Sequence, residues 1–193
     1  MIIQRSLVLM IFLALSLSAC SDDDEPQGPP PTEFTEATLV LNGEPLEFKV
    51  VASDWECNPG NLTLGVVHIS ENLEKGMVFG AANFPAKEGR YTLRRRNFDL
   101  NGGDDSCDLE TPFGSALAYG GETLVAFYDV LEDEEPSELI ITRYDPATQR
   151  LEGRLQMTLV IKENLFPIGK LEHPDTLRIT QGSFVTNIMP PEE

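Results

Sequence analysis

The chain predicts an all-β domain: an antiparallel β-sandwich of about ten strands, immunoglobulin-like or jelly-roll-like, preceded by a signal segment and a flexible tether. Two observations predict it. After residue 34, short runs rich in Val, Leu, Ile, Thr and aromatic residues are bounded by Gly, Pro, Asn and Asp, the pattern of strands separated by turns. Helical periodicity, with apolar residues recurring three and four apart, is nearly absent.

Residues 1–19 read as a secretion signal, with Arg5 as the basic start, an apolar run over 7–17 broken only by Ser16, and the small residues Ser18 and Ala19 before the cut. The run falls short of the roughly 20 apolar residues that a spanning helix needs, so it is a signal rather than a retained helix. Leu17-Ser18-Ala19-Cys20 resembles the lipobox of bacterial lipoproteins. That resemblance implies that Cys20 is acylated, becomes the first residue of the mature protein and holds it to a membrane through lipid. An ordinary secreted protein with a chance cysteine is the plainer alternative. Ser21-Asp22-Asp23-Asp24-Glu25 looks like the acidic export tag that sends lipoproteins of Bacteroidota to the outer face of the outer membrane. The likeness implies an anchored protein facing the cell exterior, with the periplasmic face as the alternative. On its own chemistry the run is a solvated tether, because four adjacent carboxylates repel and stay hydrated. Pro29, Pro30 and Pro31 extend it as polyproline II at roughly 3 Å per residue. Residues 20–34 are therefore tether and 35–190 the folded domain.

Within that domain, 38–41 and 46–50 flank Asn42-Gly43, which supplies the positive φ of a tight hairpin turn. Leu46, Phe48 and Val50 share one face by the two-residue period. Further strands are expected over 62–69, 77–83, 91–95, 115–119, 124–131, 139–144, 151–161 and 176–187, with room for one helical turn around Leu73. Asp145-Pro146 initiates a turn between 139–144 and 151–161. From Leu139 to Ile188 these strand and turn residues resemble the end of an uncharacterised family of Bacteroidota lipoprotein domains. The resemblance implies a β-sandwich of unknown activity and brings no catalytic residue.

Charge excludes one class of partner. The chain carries 32 Asp and Glu against 14 Lys and Arg, and a field of that sign repels nucleic acid, which requires clustered cations. Arg94-Arg95-Arg96 is too short to reverse this and is read as offsetting nearby carboxylates. Once Cys20 is acylated, Cys57 and Cys107 are an even pair in an oxidising compartment, where a disulfide is the default. Closing that loop of about 50 residues would contribute roughly 4 kcal/mol in the chain-entropy model. Two free buried thiols, or one reactive thiol, are the alternatives.

Catalysis needs a nucleophile with a base, a matched acid and base, or a metal cluster. His68 and His173 are the only histidines; His68 reads as a half-exposed strand residue and His173 as a loop residue. Zinc is excluded on ligand supply. Asp99, Asn101 and Glu110 match positions 1, 3 and 12 of a calcium loop, but Asp104 stands where the sixth-position glycine belongs. That leaves a weak calcium candidate or a hydrated loop. Glu132-Asp133-Glu134-Glu135 is a solvated turn, since adjacent loop acids have no pocket to separate their pKa values. Trp55, the one tryptophan, either stacks on a ligand from an exposed loop or packs over a disulfide in the core.

These readings point to a surface lipoprotein without catalysis or cofactor, whose domain binds a glycan, a peptide or an envelope protein. The alternatives are an adhesin or assembly subunit pairing edge strands with a neighbour, and a hydrolase with an unrecognised site.

Overall fold

The computed structural model describes residues 35–69, 75–96, 110–120, 123–132, 136–164 and 174–189. Ten strands occupy them: β1 (Thr35–Leu41), β2 (Glu44–Asp54), β3 (Asn61–Ile69), β4 (Lys75–Pro85), β5 (Gly89–Thr92), β6 (Phe113–Gly120), β7 (Thr123–Val130), β8 (Glu138–Asp145), β9 (Arg150–Asn164) and β10 (Thr176–Met189). Every expected strand has its counterpart, and no helix occurs among the described residues. The expected helical turn at Leu73 lies outside them.

The all-β class holds, but the strands make one sheet instead of two. Its order is β1-β10-β2-β3-β4-β6-β7-β9-β8-β5, with β1–β2 and β10–β9 also paired. Those extra pairings close a circuit. β10 lies antiparallel to β9 on one edge; its other edge takes β1 and then, at Ile188 and Met189, a short parallel pairing with Ala52 and Ser53 of β2. A ladder that returns to its starting strand is a barrel. Its strands are sheared, as closure requires. The row leaving β2 at Val51 crosses Gly65, Gly80, Ser115, Asp129 and Val160 and arrives at Thr176, displaced toward the β1–β2 turn.

Alternation fills the interior. Phe48, Val50 and Ala52 on β2, Leu62, Leu64 and Val66 on β3, and Leu151, Leu155, Met157 and Leu159 on β9 are buried, and their neighbours face outward. Two interior glycines set the wall spacing. A Cβ on Gly153 would stand 2.5 Å from the Ile140 carbonyl oxygen, and one on Gly182 would stand 2.6 Å from that of Leu155 and overlap Leu39. β9 is long enough to serve two partners along one edge: β8 pairs with 150–156 and β7 with 159–164. β5 extends the β8 side, and its continuation reaches β6 through an Arg94–Phe113 bridge.

The β1–β2 turn follows its sequence. Asn42 and Gly43 take φ of 51° and 90°, as the tight hairpin requires. The Asn42 amide also ties the turn to β10: its Oδ1 accepts from Arg178 N at 2.8 Å, and its backbone N donates to Arg178 O at 2.9 Å. At the β8–β9 turn, Asp145 Oδ1 accepts from Ala147 N at 2.9 Å, and that bond, with help from Thr148, holds the exposed carboxyl below its ordinary pKa.

Candidate functional site

At the opposite end of β2 from Asn42, residues 55–60 form a compact, braced loop. Trp55 N donates to Asn61 O at 2.8 Å, Asn58 N to Trp55 O at 3.2 Å, and Asn61 N to Asn58 O at 3.0 Å. Beneath it sits Asn83, buried and in the left-handed region at φ 60°. Asn tolerates that conformation because its amide bonds locally. Here its Oδ1 accepts from Asn58 Nδ2 at 3.3 Å and Asn61 Nδ2 at 2.7 Å, and its Nδ2 donates to Thr111 O at 3.4 Å. The loop is thus pinned from inside by a single amide.

The Trp55 ring meets Phe113 at 5.7 Å between centroids and 74°, an edge-on contact. Gly114, Ala116 and Ala118 of β6 turn inward, where an added Cβ at Gly114 would meet Met157, Val130 and Leu93. Phe113 therefore lies on the outer side of the wall. The guanidinium carbon of Arg96 stands 5.4 Å from the Phe113 centroid, within cation–π range. Trp55, Phe113 and Arg96 make one contiguous group.

Arg96 is positioned through its backbone. Its N donates to Asp129 Oδ1 at 2.8 Å, and Val130 N donates to the same oxygen at 3.0 Å. One residue earlier, Arg95 N donates to Glu132 Oε1 at 3.1 Å. Two carboxylates, one at the end of β7 and one just after it, thereby hold the segment after β5 through its backbone N–H groups. Asp129 is 2 % exposed, and its Oδ2 has no hydrogen-bond partner among the described residues. Burial pushes its carboxyl above the ordinary value, opposed by the two N–H donors and by the charges of Lys162 and Arg95. On the inner side of β7, burial and the nearby Asp175 push the Tyr128 hydroxyl up to about 12, and it donates to Pro174 O at 3.0 Å.

Trp55 is half-buried: it packs on the outer wall, a position between the two expected for it. Cys57 is half-buried in the same loop. Cys107, Asp99, Asn101, His173 and Cys20 lie outside the described residues, as do positions 133–135 of the acidic turn. Glu110, the remaining calcium candidate, is exposed, and among the described residues no three His, Cys, Asp or Glu converge on a common point. His68 lies on β3 with its ring 5.3 Å from that of Phe48 and its Nδ1 3.3 Å from Glu47 O. Sequence reasoning missed Asn83, Phe113 and Asp129. Asp129 left one signal, a lone acid within the apolar run of β7.

This arrangement offers a fixed aromatic ring, amides and a cation on one surface, which suits stacking and hydrogen bonding. The class defined by fold and site is a small closed β-domain with a braced aromatic loop. Comparison with models of known families, with curated proteins and with solved structures finds no match.

Proposed function

We propose that this chain is a lipid-anchored lipoprotein of the outer membrane, facing the cell exterior, whose barrel is a non-catalytic binding module with residues 55–60 as its contact loop. The observation that carries the reading is the rigidity of the Trp55 platform. A half-exposed indole held by Phe113 and by three asparagines loses little conformational freedom when it meets a partner, so contact energy is not spent on ordering the loop. A glycan is the favoured ligand, since a sugar ring offers an apolar face for stacking and hydroxyls for the surrounding amides. The anchor rests on residues 17–20 and the acidic run after them.

A Cys57–Cys107 disulfide belongs to the same proposal. Its support is the even pair of cysteines that remains once Cys20 is acylated, and the bond would staple the contact loop to a distant part of the chain.

Glycan-array binding by the purified protein, abolished in Trp55→Ala while the fold persists by circular dichroism, is the expected result. Equal binding by wild type and variant would remove the loop from the account. Mass spectrometry of the native protein should find diacylglycerol on Cys20, and an unmodified Cys20 thiol would refute the anchor.

A further inference from the structure

A second surface has a character that the overall charge conceals. On β9, Leu151, Gly153, Leu155 and Met157 point inward, so Arg150, Glu152, Arg154 and Gln156 point outward. Register carries the same face across the sheet: Arg154 lies opposite Ile140 of β8, which lies opposite Arg90 of β5. Arg143 faces Glu152 across a bulge in β8, and Arg94 follows Arg90 on the outer side because Leu93 turns into the core. The charged residues of this face are five arginines (90, 94, 143, 150 and 154) and three acids (Glu138, Glu152 and Asp145, the last opposite Arg150), in a chain where acids outnumber bases 32 to 14.

The three acids do not neutralise it, and an excess of two arginines remains. Glu138 pairs with Arg90, and Glu152 is shared by Arg150 at 3.1 Å and Arg143 at 3.8 Å. Arg94 and Arg154 are exposed and have no acidic partner among the described residues. An arginine fork free in solution matches a carboxylate or sulfate in two parallel bonds. The remaining negative charge of the protein does not cancel this locally, because fields between exposed groups decay over about 8 Å at physiological salt.

We propose that the outer face of β5, β8 and β9 docks an anionic polysaccharide, one whose repeating units bear carboxylate or sulfate groups. A polysaccharide fits better than an acidic protein. Stable protein interfaces need an apolar centre, whereas Val185, 36 % exposed, is the one large hydrophobic residue that counts as exposed among those described. Neutral partners for sugar hydroxyls are at hand in Thr92, Thr142 and Gln156, all exposed on the same strands. None of these arginines belongs to the Trp55 loop, although Arg94 bridges to Phe113 beside it.

The test uses the whole purified chain at low ionic strength, with polygalacturonate as probe, neutral dextran as uncharged control and polyglutamate as acidic-protein control. Calorimetry should show polygalacturonate binding that weakens with added salt, no dextran binding on this face, and weaker binding of polyglutamate. The double variant R94Q/R154Q, both at exposed positions, should bind polygalacturonate about tenfold less tightly, and Trp55→Ala should leave that binding unchanged. No binding by the wild type, undiminished binding by the double variant, or tighter binding of polyglutamate would each overturn the proposal.

Discussion

The two ends of β2 are secured by different chemistry. At one end Asn42 and Gly43 make a two-residue turn whose conformation is written into the residue pair and whose side chain clasps the neighbouring strand. At the other, residues 55–60 are held by groups from remote parts of the chain: Asn83, Phe113 and, through Arg96, Asp129. A local turn can form early and alone. The braced loop exists only once β2, β4, β6 and β7 are in register, so its order reports on the completed barrel.

Four perturbations would break or sharpen that contrast. The largest strikes the seam on which both ends depend: Gly182→Val forces side-chain atoms against Leu39 and the Leu155 backbone. Overpacking commonly costs 1–3 kcal/mol, occasionally more, and backbone atoms cannot yield as a side chain can. A loss above about 3 kcal/mol, or no folded protein, is expected in urea melts. Trp55→Ala removes an edge-on aromatic pair and a half-buried ring, for about 2 kcal/mol. Its amide exchange should quicken in residues 55–61 and stay slow at Asn42. Asn42→Gly keeps the backbone conformation but deletes the acceptor for Arg178 N, at about 1 kcal/mol. Exchange should then rise at Arg178 and leave the Trp55 loop as it was.

The smallest effect concerns pH. Asp129 has a folded pKa above its unfolded value, so the native state binds its proton more tightly. Its contribution to stability is therefore greatest when protonated and declines as pH rises from about 4 through the raised value. Asp129→Asn should abolish that decline in melts followed across this window. A variant with the wild-type slope would assign the slope to other carboxylates.

What could be read beforehand follows the same division. All ten strands were legible because a two-residue alternation and turn residues are local properties, and Asn42-Gly43 and Asp145-Pro146 fell where the chain reverses. The expected pair of sheets was not found. Closure depends on which edges meet, and on β9 and β10 being long enough to pair with several partners each, and alternation carries no information about partners. The same holds for the site. Trp55 stood out by rarity, but Phe113 looks like any strand aromatic, and Asp129 looks like a surface acid until β7 is seen to be buried on both sides. The basic face is hidden for a further reason: its arginines are scattered from 90 to 154, and only the register of β5, β8 and β9 gathers them.

Closure of the sheet also governs how the protein can associate with copies of itself. Each strand of the circuit has both flanks occupied along much of its length, which removes the unpaired amide rows that recruit foreign strands. Joining a neighbour by strand exchange would first require rupturing an intact ladder. The strand left with an open flank among those described is β5, four residues paired on one side with β8, and a short edge is a poor template for a foreign strand.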